Sequence, residues 1–239
     1  DLRMSRGLGD VYKRQEIKAI GGAGGPGMST YGTVNGIGGV NGAAAAYGIN
    51  VLGGQAVLTV ADITVEATGG TSTYTTEANS GALVNNSGAG VKGSRGGNGG
   101  IGNAYGVSNS AGSAGVTVAK ITISANGGTG GAGGGVDKSD DSSYVAAGTG
   151  GDGGDGGSAN AYGVFGSGSS RTVIVADKIS AEAVAGAGGA GATSSNDGYD
   201  SGVATSGSDG ATGKEAKAYG VYACLLYTSP SPRDMRRSR

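Results

Sequence analysis

The chain has 239 residues, 56 of them Gly, with 3 Pro, 1 Cys, 1 Phe, no Trp and no His, and a formal net charge of −1. Without histidine there is no Ser-His-Asp constellation and no imidazole metal site, and a single Cys excludes a thiolate cluster, so neither a cofactor nor a metal is expected. No apolar run approaches the ~18–20 residues a membrane helix needs, so no membrane insertion is expected of this segment.

Residues 1–15, DLRMSRGLGDVYKRQ, share no pattern with the rest of the chain, and residues 224–239, CLLYTSPSPRDMRRSR, break off a repeat and hold the only Cys, two of the three Pro and four Arg. The strings VYKRQ and LLYTSPSPRD resemble translated sequencing-adapter read-through, which implies that both flanks are foreign to the fold. The competing reading of the tail is a basic segment for nucleic acid or membrane. Between the flanks, Glu16 to Ala223 carries nine bases against fifteen acids, a formal charge of −6. That balance disfavours binding to a phosphate backbone, and no nucleic-acid partner is expected.

The region 16–223 is a tandem repeat. Ala-Tyr-Gly recurs with Tyr47, Tyr105, Tyr162 and Tyr219 spaced 58, 57 and 57 residues apart. The first three copies lead through a small-residue turn to an apolar stretch: VLTVADITVEATGG from Val57, VTVAKITISANGG from Val116 and VIVADKISAEAVAG from Val173. EIKAIGG from Glu16 is the end of an earlier copy, and the pattern predicts that the parent chain continues in both directions. Period-two alternation puts Ile63, Val65 and Ala67 on one face, and Ile121, Ile123 and Ala125 likewise, with Thr64, Glu66, Thr122 and Ser124 opposite. The stretches are therefore predicted strands. In the third copy Asp177-Lys178 reads as one added residue, after which Ile179, Ala181 and Ala183 recover the alternation. Equivalent apolar side chains at a fixed period predict a stack in which each repeat buries the face its neighbour exposes.

Each strand runs into glycine: Gly69-Gly70, GGTGGAGGG from Gly127 and GAGGAG from Gly186. A poorer section comes next, with Tyr74 and Ala82-Leu83-Val84, Tyr144 and Val145-Ala146-Ala147, and Tyr199 and Val203-Ala204. If that section forms a second rung, each period makes two coils of about 28 residues and the region about seven coils, or ~34 Å at the usual strand spacing. A glycine fixed in regular structure costs ~0.5–1 kcal/mol relative to Ala, so the tracts are expected to be loosely packed loops. One arrangement escapes this: Gly-Gly-X triplets such as 148–157, GTGGDGGDGG, form extended threefold helices packed side by side. The fold class expected is all-β, a parallel β-solenoid (β-helix-like) of ~57-residue repeats with glycine-rich loops; the alternatives are a glycine-rich extended-helix bundle or a largely disordered chain.

Several strings invite chemistry. GTGGDGGDGG is composed like a calcium-binding nonapeptide roll but lacks the aliphatic residue after each Asp and occurs once, so a solvated loop is preferred. GNGGIG and GGAGG lack the strand-helix context and the distant acid of a dinucleotide site. Asp140, Asp141, Asp152, Asp155, Asp197 and Asp200 lie in variable inserts, and Asp62, Glu66 and Glu182 at inequivalent or unpaired positions, which argues against a glycosidase pair. The recurring tyrosines are expected to be a structural aromatic ladder rather than a glycan- or ice-binding row, and Thr59, Thr64, Thr117 and Thr122 hint at threonine rows that Ser180 interrupts.

The sequence N-A-Y-G-V, a short turn, V-T-V-x-x-I-T-I-x-A and G-G-x-G-G resembles the passenger regions of bacterial autotransporters and adhesin-like proteins. The resemblance spans Glu16 to Ala223 and implies export to the bacterial cell surface, a parallel β-helix stalk, and a translocating β-barrel downstream in the parent. The glycine triplets are also similar to mycobacterial glycine-rich repeat proteins, which are denser in Gly-Gly-X. The function expected is a non-enzymatic structural or adhesive stalk, whose partners are neighbouring repeats of the parent and host or matrix glycans or proteins. A ligand-binding solenoid is the second expectation and a β-helical polysaccharide-active enzyme the third.

Overall fold

The computed structural model describes residues 14–22, 41–72, 93, 95–134, 149–167, 171–192, 208–213 and 215–223. Among them there are eight strands and no helix: β1 (Arg14–Ile20), β2 (Ala44–Val51), β3 (Gln55–Thr68), β4 (Gly102–Asn109), β5 (Ser113–Asn126), β6 (Ala159–Gly166), β7 (Arg171–Val184) and β8 (Ala216–Ala223). The fold is all-β. The odd-numbered strands form one four-stranded sheet in the order β1-β3-β5-β7 and the even-numbered strands a second, β2-β4-β6-β8, and every pairing is parallel. β1 begins at Arg14, which pairs with Asp62, so the ladder reaches two residues into the segment set aside on sequence.

The long odd-numbered strands are the Val/Ile stretches, where β-branched residues suit a pleated, half-buried surface. The short even-numbered strands are the Ala-Tyr-Gly segments, and these supply the second strand of each period. The weak apolar runs at Tyr74, Tyr144 and Tyr199, expected to make a second rung, lie outside the described residues. One period thus contributes one strand to each sheet, and the strands from β2 to β8 span only about 14 Å at the ~4.8 Å strand separation.

The register explains why the period is fixed. Ile63 sits beside Ile121 and Ile121 beside Ile179, so like side chains stack on like. Asp177-Lys178 adds no residue: Lys178 lies beside Lys120 and Asp177 replaces Ala119. What the sequence showed as an insertion is a change of phase in the repeat itself. In β5 Ala114, Val116 and Val118 point inward, Ala119 and Lys120 are both exposed, and Ile121, Ile123 and Ala125 point inward again. The ladder skips Ala119 and its equivalents, so the bend repeats from rung to rung.

The core lies between the sheets. Ile63, Val65, Ile121, Ile123, Val107 and Val116 are essentially inaccessible to solvent, and Ile174, Ile179 and Ala181 pack against them at the β7 edge. Large residues of one sheet meet small ones of the other. A Cβ added to Gly106 in β4 would fall 2.6 Å from Ile121 Cγ2 and 2.5 Å from the Gly163 carbonyl oxygen, and Gly48 and Gly163 are crowded in the same way by Ile63 and Ile179, which is why glycine follows Tyr47, Tyr105 and Tyr162.

The glycine tracts are hydrogen-bonded, contrary to the expectation of loose loops. Gly127, Gly130 and Gly133 donate to the carbonyls of Val184, Ala187 and Ala190 in the next repeat, and Gly93, Gly96 and Gly99 to those of Thr149, Asp152 and Asp155. A second set crosses between tracts of opposite direction: Gly157, Gly154 and Gly151 donate to Gly128, Gly131 and Gly134. All of these are 2.7–2.9 Å long. The three-residue step is that of an extended threefold chain. Two glycines of each triplet face neighbouring backbone, and a Cβ on Gly128 would fall 2.0 Å from the Gly70 oxygen. Within 127–134 and 149–157 side chains occur only at the third position, at Thr129, Ala132, Thr149, Asp152 and Asp155.

Candidate functional site

The even-numbered sheet places Tyr47, Tyr105, Tyr162 and Tyr219 side by side on its outer face. Parallel in-register pairing stacks any residue on its equivalent one strand spacing away, and a ring fits that spacing face to face. Successive ring centroids are 4.7, 5.1 and 5.5 Å apart with interplanar angles of 5°, 8° and 9°. A second aromatic row starts three residues later. Phe165 stacks on Tyr222 at 5.5 Å, and both meet Tyr162 edge-on. The equivalent positions in β2 and β4 are Asn50 and Ser108, so this second row exists only at the β6-β8 end.

Stacking has an electrostatic consequence. Burial within the row, and then the neighbouring phenols Tyr47 and Tyr162, push the Tyr105 phenol above its ordinary pKa of 10.0. Burial does the same at Tyr162, reinforced by Tyr219. Beside this row Asn160 donates its side-chain amide to Asn103 at 2.9 Å. Lys217 and Glu215 form an ion pair, and this hydrogen bond raises the lysine above its ordinary value.

The other residues singled out on sequence fall in three places. Ile63, Val65, Ile121, Ile123 and Ile179 belong to the inner face of the odd-numbered sheet and touch no solvent-facing chemistry. On its outer face Thr59 and Thr117 are followed by Val175, and Thr64 and Thr122 by Ser180, so neither row continues as threonine. Glu66 and Glu182 occupy equivalent positions two rungs apart with Ser124 between them, so neither has an acid beside it on the adjacent rung. Both lie on the outer face of a sheet, and Glu66 is held by Lys18 at 3.0 Å.

Asp152 and Asp155 are in the hydrogen-bonded tracts and not in variable inserts; Asp140, Asp141, Asp197 and Asp200 lie outside the described residues. The Asp152 carboxylate accepts from the Ser208 amide and hydroxyl at 2.9 and 2.8 Å, and Asp155 from the Ala211 amide at 2.9 Å and Arg95 at 3.0 Å. Their oxygens tie one repeat to the next. No cluster of three or more His, Cys, Asp or Glu suited to a metal occurs among the described residues.

Two polar features escaped the sequence reading. Asn109 is fully buried at the turn from β4 to β5: its side-chain amide donates to the Gly112 and Arg171 carbonyls and to Thr172 Oγ1, while its Oδ1 accepts from the Gly112 amide. Asn41, Asn98 and Asp155 form a polar line 57 residues apart, in which the Asn41 amide donates to the Asn98 carbonyl at 2.8 Å and Asn98 Oδ1 accepts from the Asp155 amide at 3.0 Å. That spacing, matching the tyrosine period, was the available signal. No family model, curated protein or solved structure matches the chain.

Proposed function

We propose that this chain is a segment of a parallel β-solenoid serving as a non-enzymatic structural or adhesive stalk on a bacterial cell surface. The observation that carries the proposal is the use to which the aromatic row is put. A glycan stacks on the open face of a ring, and in this row the faces of Tyr105 and Tyr162 are covered by their own neighbours. The most conspicuous side chains of the repeat are thus spent on holding repeat to repeat. The dry Val/Ile stack and the Asp-to-amide links act in the same direction, and the glycine tracts pack as extended threefold helices beside the sheets. The likeness of the repeats to autotransporter passengers supports export and surface display, with neighbouring repeats of the parent chain as the immediate partners.

A stack of equivalent units gains a nearest-neighbour interface with each unit added. Inserting a second copy of residues 103–159 after Ala159 tests this. The lengthened chain should melt at a higher temperature and extend by one strand spacing, about 4.8 Å, in solution scattering. A lower melting temperature, or an increase in size typical of an unfolded insert, contradicts the proposal.

The ligand-binding alternative is favoured by one observation, that Tyr47, Tyr219 and Tyr222 remain over a third exposed. It requires saturable binding of host or matrix glycans that is lost in Tyr222→Ala.

A further inference from the structure

The tyrosine row has a chemical property separate from its structural one. The chain has no Trp and no His, and Met4, Met28, Met235 and Cys224 all lie outside the described residues. Among the described residues the phenols are therefore the side chains most readily oxidised by one electron. The register then puts these phenols against one another in pairs that a random coil would not hold. Tyr47 and Tyr105 are closest, with centroids 4.7 Å apart and planes within 5°. Tyr47 ends the row and is 38% exposed, so its ring is open to an oxidant and free to tilt. At the other end Tyr162 and Tyr219 are 5.5 Å apart and crowded by Tyr222 and Phe165.

We propose that the row is a site of oxidative tyrosine cross-linking, in which adjacent repeats become joined by a dityrosine bond, first between Tyr47 and Tyr105. The co-reactant is hydrogen peroxide acting through a haem peroxidase. Each phenol gives one electron to the oxidant and one proton to water, leaving two phenoxyl radicals. Their ortho carbons form one C–C bond, and the two ortho protons move to the ring oxygens to restore both phenols. Two tyrosines and one hydrogen peroxide thus give one dityrosine and two waters. Such a bond fixes one repeat to the next covalently in a chain whose described residues contain no disulfide-forming cysteine.

The full-length chain is treated with peroxidase and peroxide at low protein concentration, then digested with trypsin. Cleavage at Lys18, Lys92, Arg95 and Lys120 separates the peptide carrying Tyr47 from that carrying Tyr105, so the link appears as one joined peptide lacking two hydrogens, and fragmentation locates the bond. The expected result is an intramolecular Tyr47–Tyr105 product in monomeric protein, lost in Tyr47→Phe and lost when the wild-type chain is oxidised in denaturant. The proposal is overturned if dityrosine is absent, if it forms only between molecules, or if the same product profile arises from the denatured chain. None of these outcomes bears on whether added repeats stabilise the stack, so this inference and the stalk proposal fail separately.

Discussion

Tyr105 shows how much a single position contributes, since it has a ring on each face and Phe165 at its edge. An aromatic pair contributes about 0.5–1.5 kcal/mol beyond the area it buries, so replacing Tyr105 by Leu should cost about 1–3 kcal/mol for its two stacked partners. A shift in the denaturant midpoint measures that. The same crowding sets a pH dependence. The folded chain holds the Tyr105 and Tyr162 protons more tightly than the unfolded chain does, so their contribution is full below the ordinary value of 10.0 and is lost as pH rises through the higher folded values. The melting temperature should therefore fall above about pH 10. The fall should be smaller in the Tyr105→Phe, Tyr162→Phe double variant. Asn109 offers a contrast. Its Ala variant would remove the acceptor of the Gly112 amide and the donor to the Arg171 carbonyl and Thr172 Oγ1, at a cost of about 1–3 kcal/mol for each of these groups left unsatisfied.

Among the elements, the odd-numbered strands were the most legible in the sequence, because period-two alternation at Ile63-Val65-Ala67 and Ile121-Ile123-Ala125 has one structural meaning. Those residues are fully buried. The even-numbered strands were hidden because Ala-Tyr-Gly combines a small residue, a ring and a glycine, with no β-branched alternation to mark it. Only the register supplies the missing reason, since Gly106 must clear Ile121. The apparent insertion at Asp177-Lys178 arose from matching Val173 with Val116, whereas the neighbour of Val116 is Ile174. Position within the sheet also decides sensitivity. Ile121→Ala, in an inner strand, should cost about 2–5 kcal/mol. Ile179→Ala, in the partly open β7, should cost less, and a comparison of unfolding free energies checks the ranking.

At the scale of the molecule, the glycine content is the feature that composition alone misjudged. The entropic cost of fixing glycine is real, but it argues for loops only if the fixed backbone gains nothing in return. In this chain every third step brings amides against carbonyls of two neighbouring tracts, and any larger residue at Gly128 or Gly157 would separate them. The Gly-Gly-X pattern contained that information in its period, with Thr129, Ala132, Asp152 and Asp155 marking the third place. Sheets and tracts therefore stand or fall together as one stack of repeats. Native-state hydrogen exchange on the full chain tests this most directly. The account predicts that the amides of Gly128, Gly131, Gly154 and Gly157 exchange as slowly as those of Ile121 and Ile123 in β5. Exchange of the glycine amides at the rate of an unstructured chain, with the strands still protected, would contradict it.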